Sequence, residues 1–352
     1  MDLISGNRRG IGASLLRGIL RLASFWYWLA VNLRLGLYAI GVKRRFSVNR
    51  PVVCVGNLTT GGTGKTPAVA CVVNLLRELG ATPAIVSRGY RSGAGGNDEL
   101  RVLGELCPTV KHLQNPDRVA GAREAIAGGA SVIVLDDGFS HLRLRRDLDV
   151  LLLDALNPFG FGRMLPRGLM REPLRSMRRA GAIIFTRADV ATPERLRELE
   201  DVVKCYGFTG PVLHAAHKPV KLVEIATGQE SEAAALRGKI VAPFCGIGNP
   251  SGFEKTLMAL GASISKLGTL VMDDHANLDA RELTRQVQPF IRASMEQGAQ
   301  VAVCTQKDAV KLRGIEVCPG ADIPVLELRV EFALLRGAAE LNEALARLVK
   351  NA

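Results

Sequence analysis

The sequence predicts an α/β protein: a P-loop-type parallel-sheet domain, a second, smaller α/β domain and an N-terminal interfacial helix. Three observations predict it. From residue 51 onward, short continuous apolar runs alternate with helical periods, the pattern of strands buried on both faces. A glycine-rich turn ending in Gly64-Lys65-Thr66 lies between one such run and a helix. The first 50 residues stand apart as basic and locally aromatic.

Within that first segment, Leu22–Leu33 is uncharged and contains Phe25-Trp26-Tyr27-Trp28, hence both tryptophans of the chain. Trp and Tyr favour the membrane–water interface, and the run falls short of the ~20 residues that span a bilayer. It lacks the small-residue cleavage pattern of a signal peptide. A helix lying on a membrane surface fits; the first helix of a soluble core is the alternative.

Beyond it, Pro51–Val55 reads as a buried strand, Ala68–Leu79 as a helix ended by Gly80, and Thr82–Val86 as a strand. Asp117–Ala127 is a helix; Ser131–Leu135, Val150–Leu153 and Ala182–Phe185 are strands; Pro193–Cys205 is a helix. Val212–Ala226 has the look of extended chain, a linker or hairpin. A second series follows: strands at Ile240–Phe244, Ile264–Gly268, Val301–Cys304 and Val325–Leu328, helices at Gly252–Leu260, Asp279–Gln297 and Ala338–Lys350. The expected organisation is a membrane-associated region over 1–45, a nucleotide-binding domain over 46–211, a linker or hairpin over 212–228 and a C-terminal α/β domain over 229–352.

The net charge of +12 invites a nucleic-acid reading until it is located. Residues 1–50 carry nine basic side chains and one acid, and residues 163–179 carry six arginines and one glutamate. These two patches account for the whole excess, so the rest of the chain is near neutral and nucleic-acid binding is not expected. Seven cysteines without CxxC spacing argue against a disulfide framework or a zinc site, as in a cytoplasmic protein.

The strongest chemical signal is Gly56-Asn-Leu-Thr-Thr-Gly-Gly-Thr-Gly-Lys-Thr-Pro67. Gly61, Gly62 and Gly64 let backbone N–H groups approach phosphate oxygens; Thr59, Thr60 and Thr63 complete the loop. Lys65 supplies a charge for the β- and γ-phosphates and Thr66 a hydroxyl for Mg²⁺. Thr59 stands where the strict motif has glycine, which makes this a variant P-loop. Asp136-Asp137-Gly138-Phe139 follows an apolar strand, where such folds hold Mg²⁺. Transfer to an alcohol also needs a base or orienting group; Asp98, Asp154, His141, Asp274 and His275 are the candidates.

These motifs, with Ser87-Arg88-Gly89-Tyr90, Asn157-Pro158-Phe159-Gly160, Arg171-Glu172-Pro173, Gly246-Ile247-Gly248-Asn249-Pro250, Asp274-His275 and Lys307-Asp308-Ala309-Val310, occur in an order that resembles the tetraacyldisaccharide 4'-kinase family of lipid A synthesis. The resemblance runs from about residue 20 to 315. It implies ATP- and Mg²⁺-dependent phosphorylation of the 4'-hydroxyl of a tetraacylated disaccharide 1-phosphate. It also implies a monotopic enzyme on the cytoplasmic face of the bacterial inner membrane, acting on an acylated disaccharide lipid at an anionic surface without an obligate protein partner. By position it implies Asp98 as base, paired with His275. It places Lys65, Thr66, Arg171, Asp136, Asp137 and Glu172 around ATP and Mg²⁺, and Ser87, Arg88, Tyr90 and His141 on the substrate. Ser140, Ala276, Asn97 and the segment Leu165–Met170 depart from the family's usual residues. The alternative is a membrane-associated regulatory P-loop GTPase or ATPase switch, because Phe185-Thr186-Arg187-Ala188-Asp189 loosely echoes a guanine-reading motif.

Overall fold

The computed structural model describes residues 10–89, 98–273 and 282–351. The chain divides into two compact units. One takes the described residues of Met1–Tyr90, Leu106–Ala216 and Phe332–Ala352; the other takes those of Arg91–Glu105 and His217–Glu331.

The first unit opens with helix α1 (Ile11–Ala39), which contains no buried residue. Its apolar side chains face outward: Leu15, Ile19, Leu22, Phe25, Trp26 and Leu33 are all more than half exposed. One side is tied down by polar contacts. Ser24 Oγ donates to the Met164 carbonyl at 3.0 Å, Tyr27 Oη donates to the Arg171 carbonyl at 3.1 Å, and Arg34 donates to the Ser140 carbonyl.

The sheet follows. Strands β1 (Val52–Asn57) and β2 (Pro83–Ser87) flank helix α2 (Lys65–Glu78) in sequence. Helix α3 (Asp98–Leu106) belongs, but for its last residue, to the second unit. Then come β3 (Lys111–Gln114), α4 (Arg118–Ala127), β4 (Val132–Asp136), β5 (Leu148–Asp154), β6 (Ala182–Thr186), α5 (Pro193–Cys205) and β7 (Val212–Glu224). The order is β3-β2-β4-β1-β5-β6-β7, every neighbour parallel. β1, β2, β4 and β6 are buried along their whole length, which is why they read as unbroken apolar runs. Helix starts are chemically marked: Asp117 accepts from the Val119 and Ala120 amides, and Thr192 accepts from Arg195 N ahead of Pro193.

In the second unit, β12 (Val301–Thr305) lies between β9 (Ile240–Cys245) and β13 (Val325–Arg336), all parallel. The short β10 (Ser263–Ile264) and β11 (Leu270–Val271) pair with β9. The second half of β7 forms a hairpin with β8 (Glu230–Glu232), so the extended segment expected at 212–226 is a strand. Helices α6 (Pro250–Ala259), α7 (Gln288–Glu296) and α8 (Gln306–Leu312) cover the sheet. A π turn at Leu283–Val287 precedes α7 within the helix expected at 279–297.

The last helix, α9 (Ala338–Lys350), returns to the first unit, where it buries Leu341 and Leu345 and packs on α2. The sequence assigns it to the C-terminal domain because chain order is the only guide there; its partner is chosen by the apolar face it presents. β3 and α3 escaped the sequence reading. The first is a polar edge strand, Lys-His-Leu-Gln, and the second starts beside a glycine-rich loop and carries two buried apolar residues, Val102 and Leu103.

Candidate active site

β1 leads into the phosphate loop. Asn57, its fully buried last residue, donates from Nδ2 to Thr63 Oγ1 at 2.9 Å, pinning the loop from inside. Gly61 (φ +109°) and Gly64 (φ +78°) take left-handed conformations, and α2 begins at Lys65. The loop therefore ends at a helix N-terminus, where backbone N–H groups and the dipole attract phosphate. Thr59 is buried and bridged antiparallel to Met170, and the Thr60 amide donates to the Leu169 carbonyl at 2.8 Å. Position 59 has no positive φ, so the strict motif's glycine is not required there.

The acids stand at the adjacent strand end. Asp136 closes β4 opposite Val55 and is buried; Asp137 turns left-handed (φ +53°) and its amide donates to the Val55 carbonyl at 3.0 Å. Arg171 grips Asp137 with two bonds, Nη1 to Oδ2 at 2.9 Å and Nη2 to Oδ1 at 2.7 Å, and also reaches the Asn57 carbonyl at 3.0 Å. Burial opposes charge on Asp137, but Lys65 first, then Arg171 and Arg118, hold its carboxyl well below the usual carboxylate range. Gly56 makes this turn possible. A Cβ there would stand 2.7 Å from Phe139 Cβ and 2.9 Å from the Phe139 amide nitrogen, which no packing could absorb.

Glu172 is buried and ion-paired with Arg179 at 2.9 Å, and Arg179 lies over the Phe139 ring at 4.5 Å. His141 lies among arginines. Burial, then Arg118, Arg146, Arg34 and Arg143, push its imidazole down to about 4, so it is neutral at pH 7. Ser87 ends β2 and shares a hydrogen bond of 2.8 Å with His112 Nε2; burial lowers that imidazole to about 4. Arg88 is exposed.

Arg118 belongs to none of the sequence motifs. It is buried at the first position of α4, and its Nη2 donates to the Asp137 carbonyl at 3.4 Å. A cation at a helix N-terminus opposes the macrodipole; that broken local rule is the signal a sequence reader could have used.

Asp154, one of the candidate bases, is ion-paired with Arg187 at 2.8 Å, and Arg187 (φ +55°) also donates to the Gly62 carbonyl. The segment that echoes a guanine-reading motif thus turns its arginine onto the phosphate loop. In the second unit, Asp98 opens α3 and accepts an ion pair from Lys311 at 3.0 Å. Tyr90, Asp274 and His275 lie outside the described residues.

No three His, Cys, Asp or Glu side chains among the described residues are grouped closely enough to hold a metal alone. Magnesium does not require that, since it binds through one or two carboxylates plus phosphate and water. Asp136, with Thr66 at the start of a helix that packs on β4, fits this demand. Asp137 fits it from behind Arg171. Glu172, ion-paired with Arg179, has buried carboxylate oxygens without a hydrogen-bond partner and so also offers oxygen to a cation.

The model of the tetraacyldisaccharide-1-P 4'-kinase family matches residues 16–350. The chain is 40% identical over 344 residues to the tetraacyldisaccharide 4'-kinase of Anaeromyxobacter sp. strain K, covering 93% of this chain and 89% of that one. It is 39% identical over 345 residues to that of Anaeromyxobacter dehalogenans strain 2CP-C, with the same coverage. Among solved structures it is similar to LpxK from Aquifex aeolicus in complex with ATP, with a TM-score of 0.73 and 28% identity, covering 95% of this chain and 99% of that one.

Proposed function

The chain belongs to the tetraacyldisaccharide-1-P 4'-kinase family, and from that premise we propose how its residues divide the work. The protein is an ATP-dependent lipid kinase that phosphorylates the 4'-hydroxyl of a tetraacyldisaccharide 1-phosphate. The observation that carries this reading is the phosphate loop laid beside the Asp136–Asp137 turn, in a chain the family model matches almost end to end.

The backbone of Thr59–Gly64 cradles the triphosphate, and Lys65 neutralises charge on its outer phosphates. Thr66, Asp136, Asp137 and Glu172 would hold Mg²⁺, which, when bound, offsets charge developing on the leaving phosphate oxygens. Arg171, bonded to both Asp137 and Asn57, keeps the acid turn registered against the loop. Glu172 supports the same turn through Arg179, which lies on Phe139. Arg88 and His141 contact the lipid substrate, and Ser87 orients this side through His112. Asp98 accepts the proton of the 4'-hydroxyl, while His275 assists it. The 4'-oxygen forms a bond to the γ-phosphorus, the bond from that phosphorus to the β–γ bridging oxygen breaks, and ADP leaves with the electron pair. Membership of this family disfavours the regulatory GTPase or ATPase switch.

The test is transfer of labelled γ-phosphate from ATP to the purified disaccharide lipid in mixed micelles. Label is expected in the lipid, with ATP preferred over GTP. Folded, nucleotide-binding protein that leaves the lipid unlabelled sinks the reading.

We further infer that α1 docks the enzyme on the cytoplasmic leaflet of the inner membrane. No helix among the described residues is long and apolar enough to cross a membrane, while the outward row of Leu15, Ile19, Leu22 and Trp26 suits shallow insertion. The two basic patches that are distant in sequence meet beside it. Arg167 is lowered by burial and then by Arg21, Arg17 and Arg163, a cluster of like charges that an anionic surface would relieve. Because both tryptophans lie on α1, their emission is expected to shift to the blue on phosphatidylglycerol vesicles. The shift should weaken in high salt and in an Arg17→Glu/Arg21→Glu/Arg167→Glu variant. Equal shifts on neutral and anionic vesicles would remove the electrostatic part of this inference.

A further inference from the structure

We propose that Lys311 is a positioning residue for Asp98, holding the proton acceptor at the head of α3; the proposal rests on Asp98 being the base. Lys311 lies in the last turn of α8, and its side chain is only 6% exposed. A buried ammonium is costly unless carboxylates surround it. Its Nζ is 3.0 Å from Asp98 Oδ2 and 3.9 Å from Asp308 Oδ1.

Asp308 is itself fixed from two sides. Its Oδ2 accepts from Thr305 Oγ1 at 2.6 Å and from the Gly246 amide at 3.1 Å. Thr305 ends β12 and precedes α8, and Gly246 follows β9, so two parallel strands anchor the carboxylate that faces the lysine. Burial pushes the Asp308 carboxyl up against these partners.

The other end of α3 is clamped by the same region. Glu105 accepts from Arg313 at 3.1 Å and from Arg329 at 3.2 Å, and Gln306 donates to it at 3.3 Å. Arg313 and Arg329 converge on Glu327, which is fully buried on β13. Asp98 and Glu105 are seven residues apart, about two helical turns, so they share one helix face. That face is held at both ends by cations on and just after α8 and on β13. A short helix that follows a glycine-rich segment is held by this clamp as well as by its two buried apolar residues.

A base acts only when its oxygen is held within a fraction of an ångström of the proton it takes, and misplacement by ~1 Å costs about 100-fold. Lys311 binds the same carboxylate that would take the proton, so its loss should be felt in turnover and not in nucleotide affinity.

The experiment is a double-mutant cycle on the full chain, reading lipid phosphorylation, ATP affinity and thermal melting for Asp98→Asn, Lys311→Met and the double variant. The expected result is a fall in kcat of roughly 100-fold for Lys311→Met with ATP affinity unchanged, partial rescue by Lys311→Arg, and little further loss in the Asp98→Asn background. Should Lys311→Met fail to melt cooperatively, Lys311→Gln takes its place in the cycle. Losses that multiply in the double variant, or undiminished turnover without the lysine, overturn the proposal. Undiminished turnover of Asp98→Asn alone instead removes the assignment of the base.

Discussion

Lys65→Ala is expected to reduce phosphate transfer to the lipid by roughly 10³-fold, as removal of one preorganised charge-stabilising donor does in other active sites. In phosphoryl transfer the protein supplies position and charge, because the reacting bonds belong to the nucleotide and the acceptor. Lys65 is the first residue of α2, placed by the left-handed Gly64, and it is the leading cationic influence on Asp137. Its removal takes away a charge at the head of α2, beside Asp137, without opening a cavity, since the side chain is not buried in the core. Asp137 keeps its two bonds to Arg171. The melting temperature should therefore stay close to that of the parent, and the loss should appear in labelled-lipid formation. A variant that melts normally and transfers phosphate at the parent rate contradicts the assignment of this loop.

Asp98→Asn is expected to lower kcat by about 10²–10⁴-fold, the usual contribution of a positioned general base, while nucleotide binding persists. The amide keeps the shape of the carboxylate and can still accept from Lys311, so α3 retains its clamp at Glu105. What disappears is the capacity to take a proton from the acceptor hydroxyl. A drop in kcat with ATP affinity and melting unchanged supports the role. Equal turnover at saturating lipid and ATP rejects it, and a loss confined to KM for the lipid makes Asp98 a binding group.

The fold was legible wherever local patterning is strong. Val132–Asp136 and Ala182–Thr186 are buried on both faces, so their apolar runs announce strands of a covered parallel sheet. The ends of helices α4 and α5 carry their own caps in Asp117 and Thr192. Where burial is partial, the text thins: β3 is a polar edge strand, and α3 is tied by ion pairs to residues far along the chain. The motifs of the candidate site were legible in the same measure. Gly61, Gly64, Lys65 and the Asp136–Asp137 pair are read from spacing alone, whereas Arg118 and Lys311 look like ordinary charged helix residues until their burial is known.

By itself the sequence determined the class of sheet, the phosphate loop and the existence of a basic excess, because each depends on a run of neighbouring residues and on backbone geometry within a few positions. Only the tertiary structure decided who meets whom. It put Arg171 on Asp137, turned Arg187 onto the phosphate loop and brought Arg17 and Arg21 beside Arg163 and Arg167. It also returned α9 to the first unit and set Lys311 against Asp98. The physical reason is that periodicity states which face of an element is apolar or charged, while the partner of that face is chosen by packing and desolvation across the whole chain.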